Sequence, residues 1–132
     1  MLLTRASEYA LLSLILMSKQ SHPEDVDTLS KRLDISRSFL AKVLQSLSRE
    51  GVLNSYKGVK GGFALAKKPE DISLKQVIEI VEKKPIIVFE CSRDIATCPS
   101  GKGSFCLIWP FLNKFQHKVD EFFTNLTLKD II

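Results

Sequence analysis

VDTLSKRLDISRSFLAKVLQSLSREGVLNSYKGVKGGFALA is the sequence of residues 26–66, and it decides the fold class. Apolar residues recur at helical spacing on both sides of a break at residues 34–36. The second of these two segments ends before Gly51, a residue type suited to the left-handed position that follows a helix. Its apolar stripe consists of Leu40, Val43, Leu44 and Leu47. Two short helices joined by a tight turn are typical of a helix-turn-helix.

A β-hairpin is predicted directly after these helices. Residues 52–57 and 63–66 are short strand-like runs, and the loop GVKGG between them contains three glycines, which permit positive backbone φ angles. The lysine in this loop makes the hairpin tip basic. The predicted fold class is therefore mainly α with a small β-hairpin wing, a winged helix-turn-helix.

Two further helices are predicted on either side of this unit. Thr4 is a suitable N-cap for a first helix, and the spacing of that helix's apolar residues predicts one buried side. Ser73 and Gln76 have the pattern of a capping box, which marks the start of a fourth helix. The predicted buried residues are Leu11, Leu12, Ile15 and Leu16 in the first helix, and Leu74, Val77, Ile78 and Val81 in the fourth.

The C-terminal part is predicted to contain an irregular segment, residues 86–103, followed by a long helix. From residue 105 onward, large apolar residues alternate in steps of three and four, as in a coiled-coil seam. They are Phe105, Ile108, Leu112, Phe115, Val119, Phe122 and Leu126. This seam implies a partner helix, most simply from a second subunit, or packing on its own domain. Pro110 removes one internal hydrogen bond, so we expect the regular helix to begin near it or to kink there.

Positive charge is concentrated in the helix-turn-helix and the hairpin. Residues 36–68 carry seven basic side chains and one acid. The third helix combines short hydrogen-bonding side chains with cations, which suits the major groove of double-stranded DNA. The predicted DNA-binding residues are Ser36, Arg37, Ser38, Phe39, Lys42 and Gln45 on this helix, and Lys57 and Lys60 on the wing. Phe39 could touch a thymine methyl group or simply pack. Each charge alone would be ordinary surface, but together they favour DNA.

Three cysteines lie in the C-terminal part, Cys91, Cys98 and Cys106, at intervals of six and seven residues. An odd number without a secretory signal argues against a disulfide framework. The spacing is neither the paired CxxC of zinc ribbons nor a ferredoxin motif. A metal, cluster or redox role is favoured, while inert thiols, zinc binding and reversible thiol oxidation remain open.

Other classes of protein are disfavoured. The longest apolar stretch, residues 10–17, is far below the roughly 20 residues that a membrane span needs, so we expect a cytoplasmic protein without a membrane partner. No phosphate-binding loop or nucleophile–base pair indicates an enzyme. The 132 residues have room for one compact unit. We expect a DNA-binding domain in residues 1–84, a cysteine-bearing sensor loop in 85–103, and a dimerisation helix with a C-terminal tail in 104–132.

Several motifs together resemble the IscR/NsrR/CymR family of winged-helix regulators. They are MLLT at residues 1–4, EYA at 8–10, ISRSFL at 35–40, KGxxGGFxL at 57–65 and LTLKD at 126–130. The resemblance implies a homodimer with crossing C-terminal helices that binds a palindromic operator through successive major grooves. It also implies that Ser36, Ser38, Phe39 and Lys42 read the groove. Lys57 falls at the wing position, where the family often has arginine.

The resemblance further implies a 2Fe-2S or 4Fe-4S iron–sulfur cluster held by the three cysteines. Some members place a histidine three residues after the third cysteine, but this position is Trp109 here. Others have an acidic residue before the first-helix aromatic, contributed across the dimer, and Glu8 occupies that place. Glu8 is therefore the preferred fourth ligand, and the alternative is an ordinary acid near a helix N-terminus.

The function expected from these features is a transcription regulator whose operator affinity is switched by the cluster. Such a protein would sense redox state, nitric oxide or iron–sulfur status, through a change in the distance between its two recognition helices. The alternative is a winged-helix repressor without a cluster that responds through zinc, thiol oxidation or a protein partner.

Overall fold

The computed structural model describes residues 3–101 and 105–132. The boundary that we predicted between residues 103 and 104, and the first two residues of the MLLT motif, lie outside these ranges. The elements are α1 (Arg5–Ser18), α2 (Val26–Leu33), α3 (Arg37–Arg49), β1 (Leu53–Tyr56), β2 (Gly62–Leu65), α4 (Leu74–Glu82) and α5 (Trp109–Thr124). Short 3₁₀ turns occur at Pro69–Asp71, Ile95–Thr97 and Leu128–Ile131. The predicted fold class, mainly α with a two-stranded wing, is confirmed.

Polar caps start the N-terminal helices. The Thr4 side chain accepts a hydrogen bond from the Ala6 amide, as predicted for the start of α1. Ser73 accepts one from the Gln76 amide at 3.2 Å, which confirms the predicted start of α4. Asp25 caps α2 through the Thr28 amide at 2.8 Å. Each such cap contributes about 1 kcal/mol to stability.

The main core lies between the first four helices and the wing. All four residues of the predicted α3 stripe are buried, and so are Leu14 of α1 and Leu29 of α2. In α4, Leu74, Val77 and Ile78 are buried as predicted, whereas Val81 is only partly buried. Burying a leucine of this kind stabilises the fold by roughly 1.5–3 kcal/mol.

The predicted buried side of α1 is wrong. The buried residues of this helix are Ser7, Ala10, Ser13, Leu14 and Met17, while Leu12 is 38% exposed and the other predicted residues are half-buried. The helix is apolar on more than one side, so periodicity alone did not distinguish its sides. Small residues face the core because they let α1 approach α4 and α3 closely, and the Ser13 hydroxyl is satisfied by the Tyr9 carbonyl at 2.8 Å.

The wing is anchored by a third extended segment. Strands β1 and β2 pair antiparallel, with Leu53 opposite Leu65 and Tyr56 opposite Gly62. Glu24 and Phe63 exchange two backbone hydrogen bonds, both 2.8 Å long. Gly62 has φ +139°, and a Cβ atom there would lie 2.3 Å from the Glu24 carbonyl oxygen. Only glycine allows this approach, so the base of the wing is held firmly while its tip projects.

The C-terminal helix is shorter than the predicted seam. Helix α5 begins at Trp109 with Pro110 in its first turn, which confirms the predicted start near the proline. Phe105 and Ile108 precede the helix and Leu126 follows it, so the prediction of one continuous repeat is wrong at both ends. The chain then returns to the core, where Leu128 is fully buried. None of the described helices is both long and apolar enough to span a membrane.

Candidate nucleic-acid interface and cysteine loop

Helix α3 presents all six of its predicted DNA-binding residues to solvent. At its N-terminus, Ser36 accepts a hydrogen bond from the Phe39 amide at 3.5 Å, and its hydroxyl lies 3.1 Å from that of Ser38. The opposite side of the helix carries the buried leucine stripe, so burial of the stripe orients the polar side outward. This arrangement leaves short hydroxyl groups and cations free to approach a nucleic-acid groove.

An acidic side chain lies beside the exposed cations, which the sequence reasoning missed. Asp27 of α2 is 3.7 Å from the Arg37 guanidinium and 3.2 Å from the Lys31 ammonium. These side chains are all more than half exposed, so each pair contributes little to stability. The predicted tight turn between the two helices could have indicated the contact between Asp27 and Arg37, because it brings the start of α2 near the start of α3.

Phe39 both packs and remains accessible, so the two predicted roles are not exclusive. Its ring meets that of Tyr9 edge-to-face, with centroids 5.9 Å apart and planes at 89°. The Phe39 side chain is nevertheless 40% exposed. Because Tyr9 belongs to α1, this contact joins the first helix directly to the recognition surface of α3.

The wing tip exposes its two predicted cations. Lys57 and Lys60 are exposed, and Val59 between them makes no packing contact that shields it. Helix α3 packs against β1, so the wing and the recognition helix belong to one packed unit. The structure therefore brings all eight predicted DNA-binding residues onto exposed parts of that unit.

The cysteine-bearing segment lies between α4 and α5. Cys91 is buried, and Cys98 and Cys106 are half-buried. Burial raises the pKa of the Cys91 thiol, and the nearby thiols of Cys98 and Cys106 raise it further. Within residues 3–101 and 105–132, no three histidine, cysteine, aspartate or glutamate side chains are close enough together to hold a metal ion. The three predicted ligands are therefore neighbours without forming a closed site in this chain.

One side of α5 holds this segment by polar contacts. The Trp109 indole donates to the Cys91 carbonyl at 2.8 Å, and the Asn113 amide donates to the Ser92 carbonyl at 2.9 Å. Gln116 and Asp120 continue the same side of the helix, because steps of four, three and four residues return to one face. We call Trp109, Asn113, Gln116 and Asp120 the polar face of α5.

Gln116 is the central residue of the polar face, and its side chain is buried. Its carbonyl oxygen accepts from the Val88 amide at 2.9 Å and from the Ser92 hydroxyl at 2.7 Å. Its amide group donates to the Ile86 carbonyl and to Asp120, both at 3.1 Å. The sequence reasoning missed this residue, although its polar side chain interrupts an apolar stretch at helical spacing.

Asp120 completes the polar face through Arg93. The two side chains form a bidentate pair at 2.8 and 3.0 Å, and Arg93 also donates to the Ile86 carbonyl at 2.8 Å. Burial raises the pKa of Asp120, but hydrogen bonds from Arg93 and Gln116 more than offset this, so the pKa lies below its usual value. The carboxylate therefore stays ionised and holds the arginine in place.

Glu8 lies on α1 with its side chain half exposed, 3.2 Å from the Arg5 guanidinium. It lines an open, largely apolar groove of about 600 Å³ together with Leu11, Leu12, Ile15 and Ile131. In the part of the chain that the structure describes, Glu8 does not join the cysteines in a metal-holding group. Its neighbours are instead the apolar residues that we had expected to be buried.

Helix α5 also has an exposed apolar side. Phe111, Phe115 and Phe122 are 61%, 47% and 67% exposed. Phe111 and Phe115 border a second open groove together with Lys114 and Lys118. Four of the seven predicted seam residues are exposed in the single chain: Phe105, Ile108, Phe115 and Phe122.

Comparison with known proteins identifies similar sequences and folds. The family model described as Rrf2, iron-dependent transcriptional regulator, matches residues 3–132. A protein of Aquifex aeolicus (strain VF5), described as an HTH-type transcriptional regulator, is 31% identical over 139 aligned residues, which cover 100% of this chain and 92% of that protein. The HTH-type transcriptional regulator IscR of Pectobacterium carotovorum subsp. carotovorum (strain PC1) is 25% identical, over 100% of this chain and 79% of its own length.

Two solved structures share the fold. The IscR of T. potens superposes with a TM-score of 0.74 at 20% identity, covering 98% of this chain and 84% of its own. CymR, described as the global cysteine regulator of B. subtilis, has a TM-score of 0.71 at 20% identity, covering 98% and 94%. These findings confirm the predicted resemblance, and they also confirm a regulator rather than an enzyme.

Proposed function

Because the chain belongs to the Rrf2 family of transcriptional regulators, we propose that it binds a palindromic DNA operator as a homodimer and that an iron–sulfur cluster switches its affinity. The observation that carries the DNA-binding part is the exposed side of α3, which combines hydroxyl groups, an amide and cations on the same packed unit as a basic wing. Burial of the leucine stripe turns these groups outward, where solvent or a ligand can reach them.

The residues of the interface divide by the contact each can make. Ser36 and Ser38 are short enough for close approach of the helix to the groove, and Gln45 can reach a base edge. Arg37 and Lys42 suit phosphates or guanine, and Lys57 and Lys60 on the wing suit phosphates or the minor groove. The weak Asp27 pair leaves Arg37 free to exchange its partner for DNA.

The homodimer is supported by the apolar surface that the single chain leaves exposed. In the single chain, the phenylalanines of α5 are exposed and the apolar groove on α1 is open. A two-fold interface would cover both copies of such a surface at once. In this proposal residues 1–84 bind DNA, residues 85–103 form the sensor loop, and residues 104–132 provide the main dimer contact.

The donor set suits an iron–sulfur cluster, because thiolates are the soft ligands that such clusters prefer. Cys91, Cys98 and Cys106 would hold a 2Fe-2S or 4Fe-4S cluster, and Glu8 of the second subunit would supply the fourth ligand. The family description, iron-dependent transcriptional regulator, supports this part of the proposal. When bound, the cluster supplies a centre sensitive to redox state, nitric oxide or iron–sulfur supply.

The chain itself provides two routes from the sensor to DNA. The polar face of α5 holds the segment next to Cys91, so a change in this segment acts on the dimerisation helix. Glu8 precedes Tyr9, whose ring packs on Phe39 of the recognition helix. Either route alters the separation of the two recognition helices, and a palindrome tolerates only a narrow range of that distance.

A second candidate function keeps the regulator and omits the cluster. The fold is shared with CymR, described as the global cysteine regulator of B. subtilis. In this case the protein is a repressor that responds through zinc, through oxidation of its thiols or through a protein partner.

Anaerobic purification followed by visible absorption and iron and sulfide analysis separates the two candidates. We expect coloured protein with iron and sulfide, loss of both in Cys98→Ser, and no loss in the control Ser100→Ala. Operator binding measured before and after exposure to air shows which form binds DNA. Colourless protein with full DNA affinity would favour the second candidate.

Salt-dependent DNA binding tests the groove assignment. Lys57→Ala should weaken binding to every sequence and reduce the slope of log K against log salt by about 1, as expected for one lost phosphate contact. Ser38→Ala and Gln45→Ala should change which bases are preferred. Lys129→Ala, an exposed lysine of the C-terminal turn, is the control. Unchanged binding in Lys57→Ala, Ser38→Ala and Gln45→Ala would refute the assignment.

A further inference from the structure

We infer that Gln116 is a positioning residue that holds Cys91 rigidly on helix α5. The inference deepens the function proposed above, since Cys91 is one of the proposed cluster ligands. Gln116 reaches Cys91 through Ser92, the next residue in the chain, whose hydroxyl donates to the Gln116 side-chain oxygen at 2.7 Å. Gln116 would fix the position of Cys91 in this way whichever group the cysteine binds.

The Gln116 side chain makes most of its hydrogen bonds to the segment around Cys91. It makes four hydrogen bonds, three of them to residues 86, 88 and 92 and one to Asp120. It is 2% exposed, and no buried side-chain nitrogen or oxygen in the described part of the chain lacks a partner. A buried amide that is fully satisfied in this way specifies one arrangement of its neighbours, because any other leaves polar groups unpaired.

A leucine at this position would bury more apolar surface beside Ile86 and Phe123, which form a small second core with Ile78. It would, however, leave the Val88 amide and the Ser92 hydroxyl without the partner that the glutamine oxygen supplies. The glutamine fixes the position of this segment relative to α5. Its side-chain oxygen accepts from the Val88 amide, and its amide group donates to the Ile86 carbonyl.

Three hydrogen bonds from α5 hold the segment at Cys91. Trp109 and Asn113 hold the carbonyl groups of Cys91 and Ser92, and Gln116 holds the Ser92 side chain. Cys98 follows a 3₁₀ turn, and Cys106 precedes α5. These bonds fix the position of the segment around Cys91 relative to α5.

The test compares the three thiols within one metal-free protein, so each molecule carries its own control. In Gln116→Leu we expect alkylation of Cys91 to become about tenfold faster, because losing a buried hydrogen bond promotes local opening. Alkylation of Cys98 and Cys106 should change less than twofold. The Val88 amide should exchange hydrogen about tenfold faster for the same reason. Gln76→Leu, an exposed glutamine of α4, is the matched control.

Ser92→Ala serves as a second variant if Gln116→Leu folds poorly, since it removes one hydroxyl and leaves the glutamine in place. It should accelerate alkylation of Cys91 in the same selective way. In protein loaded with iron and sulfide, both variants should shift the visible absorption spectrum, a signature that a merely structural change elsewhere does not produce.

Equal acceleration at all three thiols, or no change at Cys91 and Val88, would overturn the inference. Wild-type protein that binds no iron would instead refute the cluster part of the proposed function, while the selectivity for Cys91 would still decide the role of Gln116. The two failures are thus distinguishable.

Discussion

The N-terminal unit and the C-terminal segment are held together by different forces. In the first, leucines of α2 and α3 are fully buried in a core shared by four helices and the wing. In the second, the core consists of Ile78, Ile86 and Phe123, and most of the specific contacts are the hydrogen bonds of the polar face. Burial therefore dominates the N-terminal unit, whereas directional polar contacts dominate the C-terminal segment.

This difference has a functional consequence. A close-packed core keeps its shape because its side chains have one arrangement. Hydrogen bonds to a loop can be exchanged for hydrogen bonds to other partners. The phenylalanines of α5 are exposed in the single chain. The regulator that we propose would therefore combine a close-packed N-terminal unit with a cysteine-bearing segment that exchangeable hydrogen bonds fix to α5.

The largest expected effect on stability is at the centre of the N-terminal core. Leu44 is fully buried, so Leu44→Ala should destabilise the protein by about 2–5 kcal/mol through lost burial and a cavity. Urea unfolding measures the change. Leu107→Ala is the control, because Leu107 is 99% exposed and should change stability by less than about 0.5 kcal/mol. Equal destabilisation by Leu44→Ala and Leu107→Ala would show that burial does not dominate the N-terminal unit.

The second largest effect on stability is expected at the base of the wing. Gly62→Ala places a Cβ against the Glu24 carbonyl, while Gly58→Ala meets open space although both glycines have positive φ. Backbone strain should cost roughly 1–3 kcal/mol in each variant, and the clash should make Gly62→Ala the more damaging. Thermal unfolding and DNA affinity measure both. If the two variants behave alike, the third extended segment does not anchor the wing.

Glu82 joins the end of α4 to the start of α1. It accepts hydrogen bonds from the Thr4 amide and hydroxyl and from the Ser7 hydroxyl, at 2.7–3.1 Å. Burial raises its pKa, but these bonds more than offset burial, so the pKa is lowered. Glu82→Gln should cost roughly 1–3 kcal/mol at neutral pH.

The pH dependence provides the check on Glu82. A carboxylate with a lowered pKa stabilises the fold above its unfolded pKa, and this contribution disappears as the pH falls through the folded value. The difference between wild type and Glu82→Gln should therefore shrink below about pH 4. Glu121→Gln, an exposed acid of α5, should show no such trend. A difference independent of pH would contradict the assignment.

The smallest effect on the fold should come from a large residue of the C-terminal helix. Phe115 is 47% exposed, so Phe115→Ala should change the stability of the single chain by less than about 0.5 kcal/mol. Its effect should appear in dimerisation, because the lost apolar surface belongs to the proposed interface. Sedimentation over a range of concentrations measures this, and Lys129→Ala is the control. Strong destabilisation with unchanged dimerisation would show that Phe115 supports the fold of the single chain and not the interface.

Much of the N-terminal unit could be predicted because local signals and packing agree there. The α3 stripe, the Ser73 cap and the glycine-rich hairpin each follow from short-range chemistry, and the exposed DNA-binding side is simply the complement of the stripe. The buried side of α1 could not be predicted in the same way. That helix is apolar on several sides, and the choice among them depends on α3 and α4, which lie far away in sequence.

The sequence by itself determined the winged helix-turn-helix, its exposed cations and the three neighbouring cysteines, because caps, turns and helical periodicity act over a few residues. Only the tertiary structure decided which side of α1 is buried, where α5 ends, and that Gln116 holds the segment beside Cys91. These features depend on contacts between distant parts of the chain, since a buried polar group is stable only where the fold brings its partners to it.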